Sequence, residues 1–572
     1  MTAQKSKGSP VVHPFLLAFF PVLSLYSSNL GRVGLDQLLL PMLVAGGFVF
    51  LLERSFRWLM NERHKAGLWA SVVWIMIIAY GPTFDLAQVL WSVSPLLNVT
   101  FRYMAIWVIP FIGVAWWITR TKARAEQFTS LFNLVAGALV LMPLLSIISY
   151  SVTARAARPA AEGKGISAWA KVEPELTISR LPAEQQSTSS ARTPADQPAL
   201  PDVYYIILDR YASADVLREA YGFDNRPFLS WLEQRGFYVV AQARSNYPKT
   251  AHSLASSLNM MFLDDVREQY GDQSNDWTPL YQRVRDYKLW RFFKAKGYQF
   301  IHVGSWWHPT SENPHADVNI NLYSLPEFSR VLYQMTLFYP FSVKTGVLDE
   351  RSEQWRRTRY QFARLADVPA IKQPTFVFAH FLVPHPPYVF ARDGRFLSLS
   401  EVAARTRTQN YTEQLAYTNH LLQQLVDQLL SRSETPPIII LQADEGPFPL
   451  RYERQEATFD WTKATDEELR EKMGILNAYY LPDVDATGKN PKPQIRNPKR
   501  FGFRAPDFGF PTNRANALYP EITPVNSFRV VLSAYFGATL PQLPDRSYAF
   551  VDHQHLYKFF DVTARLRSSA QR

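Results

Sequence analysis

The chain has 572 residues, no cysteine and a formal net charge of +11. Its length exceeds that of one ordinary domain, and the lack of cysteine excludes disulfides, thiolate zinc sites and cysteine nucleophiles. Much of the positive charge lies in short loops between apolar segments, so membrane topology explains it better than nucleic acid, and we expect no nucleic-acid partner.

Five apolar stretches precede residue 153 and predict an α-helical membrane bundle of about five transmembrane helices. They cover residues 15–30, 35–52, 68–80, 103–118 and 131–152. Spanning the hydrocarbon takes about 20 residues, which the first, third and fourth stretches reach only with flanking residues. Short charged loops between them disfavour the alternative of buried helices in a soluble core. We therefore expect residues 1–153 to form a transmembrane domain, with the lipid bilayer as its partner.

Basic residues alternate between the loops of this region. The three basic segments hold Lys5 and Lys7, then Arg54, Arg57, Arg63 and Lys65, then Arg120, Lys122 and Arg124. The other two loops carry only Arg32 and Arg102. The positive-inside rule then places the N-terminus in the cytoplasm and the chain after residue 152 outside. Together with the cysteine-free composition, this predicts a multi-pass protein of the bacterial inner (plasma) membrane with a periplasmic or extracellular C-terminal domain.

Residues 154–200 are rich in Ala, Pro, Ser, Gln and Glu and show no apolar periodicity. Such a segment buries too little apolar surface to offset the entropy of ordering it. We expect a flexible linker between the two domains.

Residues 201–572 alternate short apolar runs with amphipathic helices. The predicted strands are Val203–Leu208, 237–241, Gln299–Val303, 375–382 and 437–442, and the predicted helices are Ala214–Tyr221, 227–235 and 411–431. This alternation predicts an α/β domain around a mostly parallel sheet. In such sheets ligands bind beyond the carboxyl ends of the strands.

Three of these strand ends carry chemically useful residues. Asp209 follows the first strand, Thr250 begins a helix-like run, and Asp444-Glu445 follow PIIILQA. Taken singly, each is more often a helix cap or a turn residue. Their shared position after apolar strands instead favours a metal site beside a hydroxyl nucleophile, because a cation would lower the pKa of the hydroxyl and neutralise an anionic substrate.

Several motifs resemble the alkaline phosphatase/sulfatase superfamily, and within it the membrane-anchored lipoteichoic acid synthases and phosphoethanolamine or phosphoglycerol transferases. They are PDVYYIILDRY, NYPKTAHS, FAHFLVPHPPYVF, YTEQLAYTNHLLQQLVDQLL with PIIILQADEGP, KMGILNAYYLP and PEITPVNSFRVVLSAYFG. The resemblance implies five membrane helices, a tether and an extracytoplasmic sulfatase-like domain. It also implies that Asp209 and Asp444 bind a metal, that Thr250 is the metal-bound nucleophile, and that His385 faces the substrate.

One residue departs from the family pattern, which has His where this chain has Glu445. A ligand set of Asp209, Thr250, Asp444 and Glu445 is all oxygen, which favours one Mn²⁺ or Mg²⁺ over Zn²⁺ and leaves Ca²⁺ open. The extra negative charge weakens the attraction for an anionic substrate unless Lys249 or a nearby Arg compensates.

A cluster of aromatic and histidine residues supplies further candidates. One interpretation places His302, Trp307 and His308 at the substrate head group. The alternative is that they are buried residues with a structural role. His252 and His380 are weaker candidates for substrate contact.

These residues predict a metal-dependent phosphotransferase or phosphoester hydrolase that acts on a membrane lipid or an envelope glycan. The first alternative is a catalytically degenerate domain that binds lipid or glycan, or regulates, without turnover, which Glu445 favours and Thr250 opposes. The second is a sulfatase, which ranks low because no Cys or Ser in a C/S-x-P-x-R pattern occurs around Thr250.

Overall fold

The computed structural model describes residues 9–91, 97–120, 125–157, 200–322, 325–482 and 518–567. Two compact units divide the chain. The first comprises Met1–Pro159 and Ser324–Glu353, and the second comprises Ala160–Tyr323 and Gln354–Arg572. The sequence did not predict that residues 324–353 belong to the first unit. Of the predicted linker, residues 158–199 lie outside the described residues.

The first unit is helical throughout its described part. Its N-terminal helices are α1 (His13–Ser27), α2 (Leu39–Met60), α3 (Arg63–Ile78), α4 (Tyr80–Trp91), α5 (Leu97–Arg120) and α6 (Ala125–Ala157), with a 3₁₀ turn at Leu35–Leu38. Residues 324–353 add the helices Glu327–Gln334 and Tyr339–Thr345 and the start of Glu350–Leu365.

The five predicted apolar stretches all fall in or largely within helices, but five spans are not confirmed. Within the described ranges, three helical stretches are long and apolar enough to cross a membrane: Leu35–Met60, Arg102–Arg120 and Ala125–Val152. A fourth span arises if Arg63–Ile78 and Tyr80–Ala87, bent by 45° at their break, count as one. The remaining apolar helix, α1, has only 15 residues, short of the roughly 20 that a span requires.

Helices α1 and α6 run parallel to each other. Near their starts, the Ser9 N–H donates to Glu126 Oε1 at 2.9 Å and the His13 N–H donates to Asn133 Oδ1 at 2.9 Å. Further along, Tyr26 of α1 lies in one apolar cluster with Ile147 of α6. The C-terminal parts of α1 and α6 therefore lie at the same end of the bundle.

The second unit is built on a seven-stranded sheet in the order β2-β7-β6-β1-β5-β3-β4. Its strands are β1 (Val203–Leu208), β2 (Tyr238–Val239), β3 (Gln299–Val303), β4 (Val318–Ile320), β5 (Thr375–Phe381), β6 (Ile438–Gln442) and β7 (Asn477–Tyr480). All neighbouring pairs are parallel except those made by β7. This confirms the predicted α/β fold with a mostly parallel sheet.

Helices cover this sheet, and an antiparallel hairpin of β8 (Tyr548–Phe550) and β9 (Phe559–Asp561) lies apart from it. The helices are Ala214–Tyr221, Arg226–Gln234, Thr250–Ser257, Asp264–Tyr270, Thr278–Arg285, Lys288–Ala295, Glu350–Leu365, Leu399–Ala403, Arg407–Arg432, Leu450–Arg454, Asp466–Met473, Pro524–Phe536 and Thr563–Arg567. Capping boxes at Thr406 and Thr465 fix where two of them begin, since the side chains there satisfy free helical N–H groups.

The centre of the sheet positions the candidate site. Strand β1 is buried along its whole length and lies between β5 and β6, both parallel to it. Ile207 is paired with His380 on one side and with Gln442 on the other. Because the three strands are parallel and in register, their carboxyl ends meet at one edge.

Truncating Leu441 of β6 to Ala should destabilise this central sheet. The side chain is fully buried, and a buried Leu→Ala change costs about 2–5 kcal/mol because it removes apolar contacts and leaves a cavity. We expect a lower melting temperature for the full-length protein in detergent, followed by tryptophan fluorescence. The matched control is Leu450→Ala, whose side chain is 47% exposed. Equal melting temperatures for the two variants would contradict the assigned core.

Candidate functional site

Three side chains from adjacent strands converge at the carboxyl edge of the sheet. Asp209 is the first residue after β1, His380 is the next-to-last residue of β5, and Asp444 is the second residue after β6. One ligand atom from each lies within 4.8 Å of the others, and all three residues are buried. His380 Nε2 is 3.5 Å from Asp209 Oδ2. The sequence analysis placed Asp209 and Asp444 in such a group but missed His380 as the third member.

The ring of His380 is held from its other side. Its Nδ1 is 2.8 Å from the Thr310 hydroxyl, which is itself 2.8 Å from the Ser305 hydroxyl. With the Nδ1 proton donated to Thr310, the lone pair on Nε2 faces Asp209 and Asp444. Partners of this kind fix the tautomer and the direction of a metal-binding imidazole.

Thr250 lies at the start of the helix Thr250–Ser257, where Lys249 is the N-cap residue. The preceding loop is fastened through Asn246, whose amide donates to the Arg546 carbonyl and accepts from the Val525 N–H, each at 2.8 Å. The Thr250 side chain reaches the Asp444 carboxylate closely enough to lower the pKa of that carboxyl slightly. The free N–H groups and the dipole of a helix start also favour an anion there.

Burial raises the affinity of both aspartates for protons, and Asp209 raises that of Asp444 further. Burial raises the pKa of Asp209 to about 7, with Arg210 opposing the rise and Glu445 adding to it. Burial raises the pKa of Asp444 to about 8, with further contributions from Asp209 and Glu445. Burial lowers the pKa of His380 to about 4, so that the ring is neutral at physiological pH.

These residues fit a divalent cation. Among the described residues, none gives a well-aligned hydrogen bond to Asp209 Oδ1, His380 Nε2 or either oxygen of Asp444, although all four atoms are buried. Buried polar atoms normally have partners, and two carboxylates with a neutral imidazole form a donor set suited to a metal ion. A bound cation would also reverse the pKa shifts by stabilising the carboxylates.

Glu445 lies next to this group in an ion pair. Its Oε1 is 2.8 Å from Lys472 Nζ and 3.3 Å from Arg210 Nε. Lys472 is fully buried in the helix Asp466–Met473, and a buried ammonium requires a counter-charge. The structure thus places the predicted ligand Glu445 opposite two cations and outside the Asp209–His380–Asp444 group.

Three cations surround the ring of Phe448. The distances to its centroid are 3.4 Å from the Arg210 guanidinium carbon, 4.0 Å from Lys472 Nζ and 4.6 Å from Lys249 Nζ. Lys249 is also 2.6 Å from Glu456 Oε1. We call Arg210, Lys249 and Lys472 the cation cluster. Of its members, the sequence analysis identified only Lys249.

Gly446 makes this close packing possible. A Cβ atom at this position would lie 2.3 Å from the Glu471 carbonyl oxygen and 2.8 Å from that of Gly474. The Gly446 N–H donates to the Lys472 carbonyl at 2.8 Å, and its own carbonyl accepts from Lys472 Nζ at 3.0 Å. Only glycine allows the strand end that carries Asp444 to approach the helix that carries Lys472.

His385 is half-buried in the loop after β5, with its Nδ1 bonded to the Pro386 carbonyl and its ring 5.9 Å from that of Trp306. Burial, and then Arg210, hold the pKa of His385 well below its usual value. An Nδ1 that donates to a carbonyl leaves Nε2 as a proton acceptor.

The other aromatic and histidine candidates are divided between core and site. His302 is buried in β3, where its Nε2 bonds to the Thr310 carbonyl at 3.0 Å and its ring lies 5.6 Å from that of Phe378. Trp307 lies edge-on to His380 at 6.1 Å. His308 begins the short turn His308–Thr310 that carries the partner of His380.

His252, a weaker candidate, lies in the core beside the hairpin. It is fully buried, its Nε2 is 3.0 Å from the Leu556 carbonyl, and its ring stacks on Phe550 at 4.8 Å. These contacts account for its burial without a substrate.

The family comparison agrees with this geometry. Residues 201–469 match the family model described as Sulfatase. This part of the chain is a sulfatase-like domain, which we call the sulfatase domain. The matched range contains Asp209, Thr250, His380 and Asp444, and it confirms the resemblance to the alkaline phosphatase/sulfatase superfamily.

Several solved structures are similar to the sulfatase domain or to the longer chain. Lipooligosaccharide phosphoethanolamine transferase A from Neisseria meningitidis is 13% identical, with 84% of this chain and 91% of that chain covered and a TM-score of 0.36. The C-terminal periplasmic domain of EptC from Escherichia coli, in complex with Zn, is 12% identical over 50% and 74%, with a TM-score of 0.33. Lipoteichoic acid synthase LtaP from Listeria monocytogenes is 12% identical over 50% and 66%, with a TM-score of 0.32. The comparison with curated proteins finds no match.

The geometry of the group changes the argument about which metal it would hold. The predicted ligand set was all oxygen and therefore disfavoured Zn²⁺. His380 adds a nitrogen ligand to Asp209 and Asp444, and imidazole suits Zn²⁺ as well as Mn²⁺. The preference for Mn²⁺ or Mg²⁺ over Zn²⁺ consequently loses its original basis.

Metal binding should depend on pH. Without a cation, the raised pKa values of Asp209 and Asp444 make the folded protein hold more protons than the unfolded chain between about pH 4 and pH 8, so its stability falls as the pH rises. A divalent cation must displace those protons. The rise in melting temperature on adding Mn²⁺ or Zn²⁺ should therefore be larger above about pH 8 than below about pH 6.

The control for this measurement is Asp444→Asn, which removes one ligand charge. The metal-dependent rise should then disappear, while the metal-free protein becomes more stable at high pH because the repulsion from Asp209 is relieved. An unchanged rise with Asp444→Asn would show that the metal binds elsewhere.

Proposed function

We propose that the protein is a metal-dependent phosphotransferase or phosphoester hydrolase with Thr250 as its nucleophile, acting on lipid or glycan head groups of the bacterial envelope. The observation that carries the proposal is the position of Thr250 at a helix start, against Asp444 of a buried Asp–His–Asp group. A hydroxyl, an anion-favouring helix start and a cation-binding group are the parts that transfer of a phosphoryl group requires.

Asp209, His380 and Asp444 would hold the metal. When bound, a divalent cation supplies charge neutralisation at the phosphoryl oxygens and lowers the pKa of a nearby hydroxyl. The loop fastened by Asn246 holds Thr250 at this position, so little reorganisation is needed when the substrate arrives.

Thr250 would attack the phosphorus from the side opposite the leaving oxygen. The bond from phosphorus to the leaving oxygen breaks while the bond from Thr250 Oγ1 to phosphorus forms, which gives a phosphothreonine. The hydroxyl proton of Thr250 passes through water to the leaving oxygen, which departs as an alcohol. The free N–H groups at the start of the helix Thr250–Ser257 face the negative charge of the phosphoryl group. Water or an alcohol then attacks the same phosphorus, the bond to Thr250 Oγ1 breaks, and the proton lost by the attacking group restores the Thr250 hydroxyl.

The cation cluster would draw the anionic substrate to this site. The side chains of Arg210 and Lys249 are 14% and 13% exposed and can reach a ligand, whereas Lys472 is enclosed and acts through its charge. At 4 Å a single charge is worth about 4 kcal/mol at an effective dielectric of 20. The charges of Arg210 and Lys249 therefore offset the repulsion that Glu445 alone would exert, while burial lowers the pKa of Lys472 to about 7.

His385 would serve as a base in the second step. Its lowered pKa keeps the ring neutral, so Nε2 can accept the proton of the attacking water or alcohol. A neutral imidazole is a poor donor to the first leaving group. Of the two roles considered for His385, its lowered pKa favours accepting a proton over donating one.

The membrane half supports a lipid or a lipid-linked glycan as the substrate. Apolar helices long enough to span a bilayer precede the sulfatase domain in the same chain. A catalytic domain tethered to a membrane meets lipid head groups at a high effective concentration. We propose an inner-membrane location with the N-terminus in the cytoplasm and the sulfatase domain outside.

Removing the nucleophile should abolish turnover. Thr250→Ala should reduce metal-dependent release of head groups from phospholipid vesicles by about 10³-fold or more, because no other described hydroxyl is placed against Asp444 in this way. Thr250→Ser keeps a hydroxyl at the same position and should retain measurable activity. Equal release by wild type and Thr250→Ala would rule out this nucleophile.

The orientation is testable because the natural chain has no cysteine. Single Cys residues at Leu450, exposed in the sulfatase domain, and at Arg63, exposed at the start of α3, should report opposite sides of the membrane. A membrane-impermeant maleimide should label Leu450→Cys in intact spheroplasts and Arg63→Cys only after lysis. The reverse pattern would invert the proposed topology.

A binding protein without turnover is the second candidate. The ion pairs of Glu445 with Lys472 and Arg210 favour it, because they place a carboxylate where the family pattern has a ligand histidine. In that case head-group anions should raise the melting temperature of wild type and Thr250→Ala equally, with no product released by either protein.

A further inference from the structure

A stretch of the chain far beyond the N-terminal helices folds together with them. Residues 325–353, which we call the return segment, follow β4 of the sulfatase domain in sequence but belong to the first unit. The segment contains the helices Glu327–Gln334 and Tyr339–Thr345. Gly346 follows the second helix, and its positive φ of 71° terminates that helix.

The return segment is fastened to the break between α3 and α4. The Leu337 N–H donates to the Ile77 carbonyl and the Gly81 N–H donates to the Met335 carbonyl, each at 2.8 Å. A Cβ at Gly81 would lie 2.7 Å from Met335 Cα, so only glycine permits this approach. Paired backbone groups of this kind indicate a built contact and not a loose surface loop.

One face of the helix Glu327–Gln334 packs on the bundle. Phe328 and Leu332 join Val22 and Tyr26 of α1 in a buried cluster. Side chains packed against this cluster come from the turn after α1, the start of α2 and the C-terminal half of α6, and they include Leu30, Leu38, Met42 and Ile147. The return segment therefore lies at the end of the bundle where α6 finishes, opposite to the start of α1.

Five large apolar side chains of the segment are exposed. The exposed fractions are 39% for Val331, 45% for Phe338, 47% for Phe341, 63% for Val347 and 38% for Leu348. From Val331 to Leu348 the only charged residue is Lys344. Phe338 and Phe341 are three positions apart and share one side of the helix start.

Charged residues flank this apolar stretch on both sides. Arg330 and Glu353 form a buried ion pair at 3.0 Å across the two ends of the segment. The exposed apolar side chains therefore lie on a stretch of chain whose two ends are joined by this ion pair. Aromatic and aliphatic side chains with a single lysine are typical of segments at the membrane interface.

We propose that the return segment is an interfacial anchor, in which Phe338, Phe341, Val347 and Leu348 insert into the lipid leaflet at this end of the bundle. Lipid is the occupant that the position favours, because the segment is hydrogen-bonded to α3 and α4, which together are long and apolar enough for one span, and packs against α1 and α6. Exposed apolar side chains grouped in this way would otherwise promote aggregation in water. The anchor goes beyond the proposed function, since it requires no catalysis.

Single cysteines in the full-length, otherwise cysteine-free chain test this directly. Phe341→Cys and Val347→Cys would carry an environment-sensitive fluorophore in nanodiscs of phosphatidylethanolamine and phosphatidylglycerol. The control is Leu399→Cys in the sulfatase domain, whose parent side chain has the same 47% exposure as Phe341. Lipids brominated near the head group should quench the first two labels several-fold more strongly than the control, and aqueous iodide should quench the control more strongly.

Two outcomes would overturn the anchor. Strong iodide quenching of the labels at positions 341 and 347, with no effect of brominated lipid, would place the segment in water. Energy transfer between labelled chains that persists on dilution in detergent would identify a second copy as the occupant. Melting temperatures of the labelled variants equal to wild type confirm that the fold is kept. Neither outcome bears on Thr250, whose test measures turnover.

Discussion

Two carboxylates that repel each other inside the protein determine how the sulfatase domain is arranged around its site. Asp209 and Asp444 end adjacent parallel strands, so the register of β1 and β6 brings them together. A pair of like charges about 4 Å apart is worth about 4 kcal/mol of repulsion at an effective dielectric of 20. The fold can hold this arrangement only if the carboxylates are protonated or share a cation, and a neutral His380 beside them favours the cation.

Glu445, where the family pattern has His, adds negative charge beside this pair and raises the pKa of both Asp209 and Asp444. Its carboxylate is matched by Lys472 and Arg210, and His380 on a neighbouring strand offers a nitrogen donor to the group. The charge of Glu445 thus has counter-ions beside it, and the neighbouring group includes one imidazole. The close approach at Gly446 is what lets Lys472 reach Glu445.

The sequence predicted those parts of the fold whose pattern is local. Strand β1 was predicted residue by residue because VYYIIL is continuously apolar, and the structure buries it completely. Asp209 and Asp444 followed from their positions after apolar runs, and Thr250 from the helix-like run that it begins. His380 was undervalued because it lies within a strand, and only its register with Ile207 brings it to the edge. Lys472 and the return segment depend on partners distant in sequence, which no local periodicity reveals.

In the membrane half, the relative direction of two helices supports the proposed orientation without relying on the number of spans. The prediction of an outer sulfatase domain rested on an odd number of spans, and three or four are supported by length and composition. Helices α1 and α6 nevertheless run parallel, with Ser9 beside Glu126 at one end and Tyr26 clustered with Ile147 towards the other. The chain therefore leaves α6 at the end of the bundle opposite to the start of α1. If the basic N-terminus is cytoplasmic, the proposed orientation follows from this pairing, whichever of the intervening helices cross the bilayer completely.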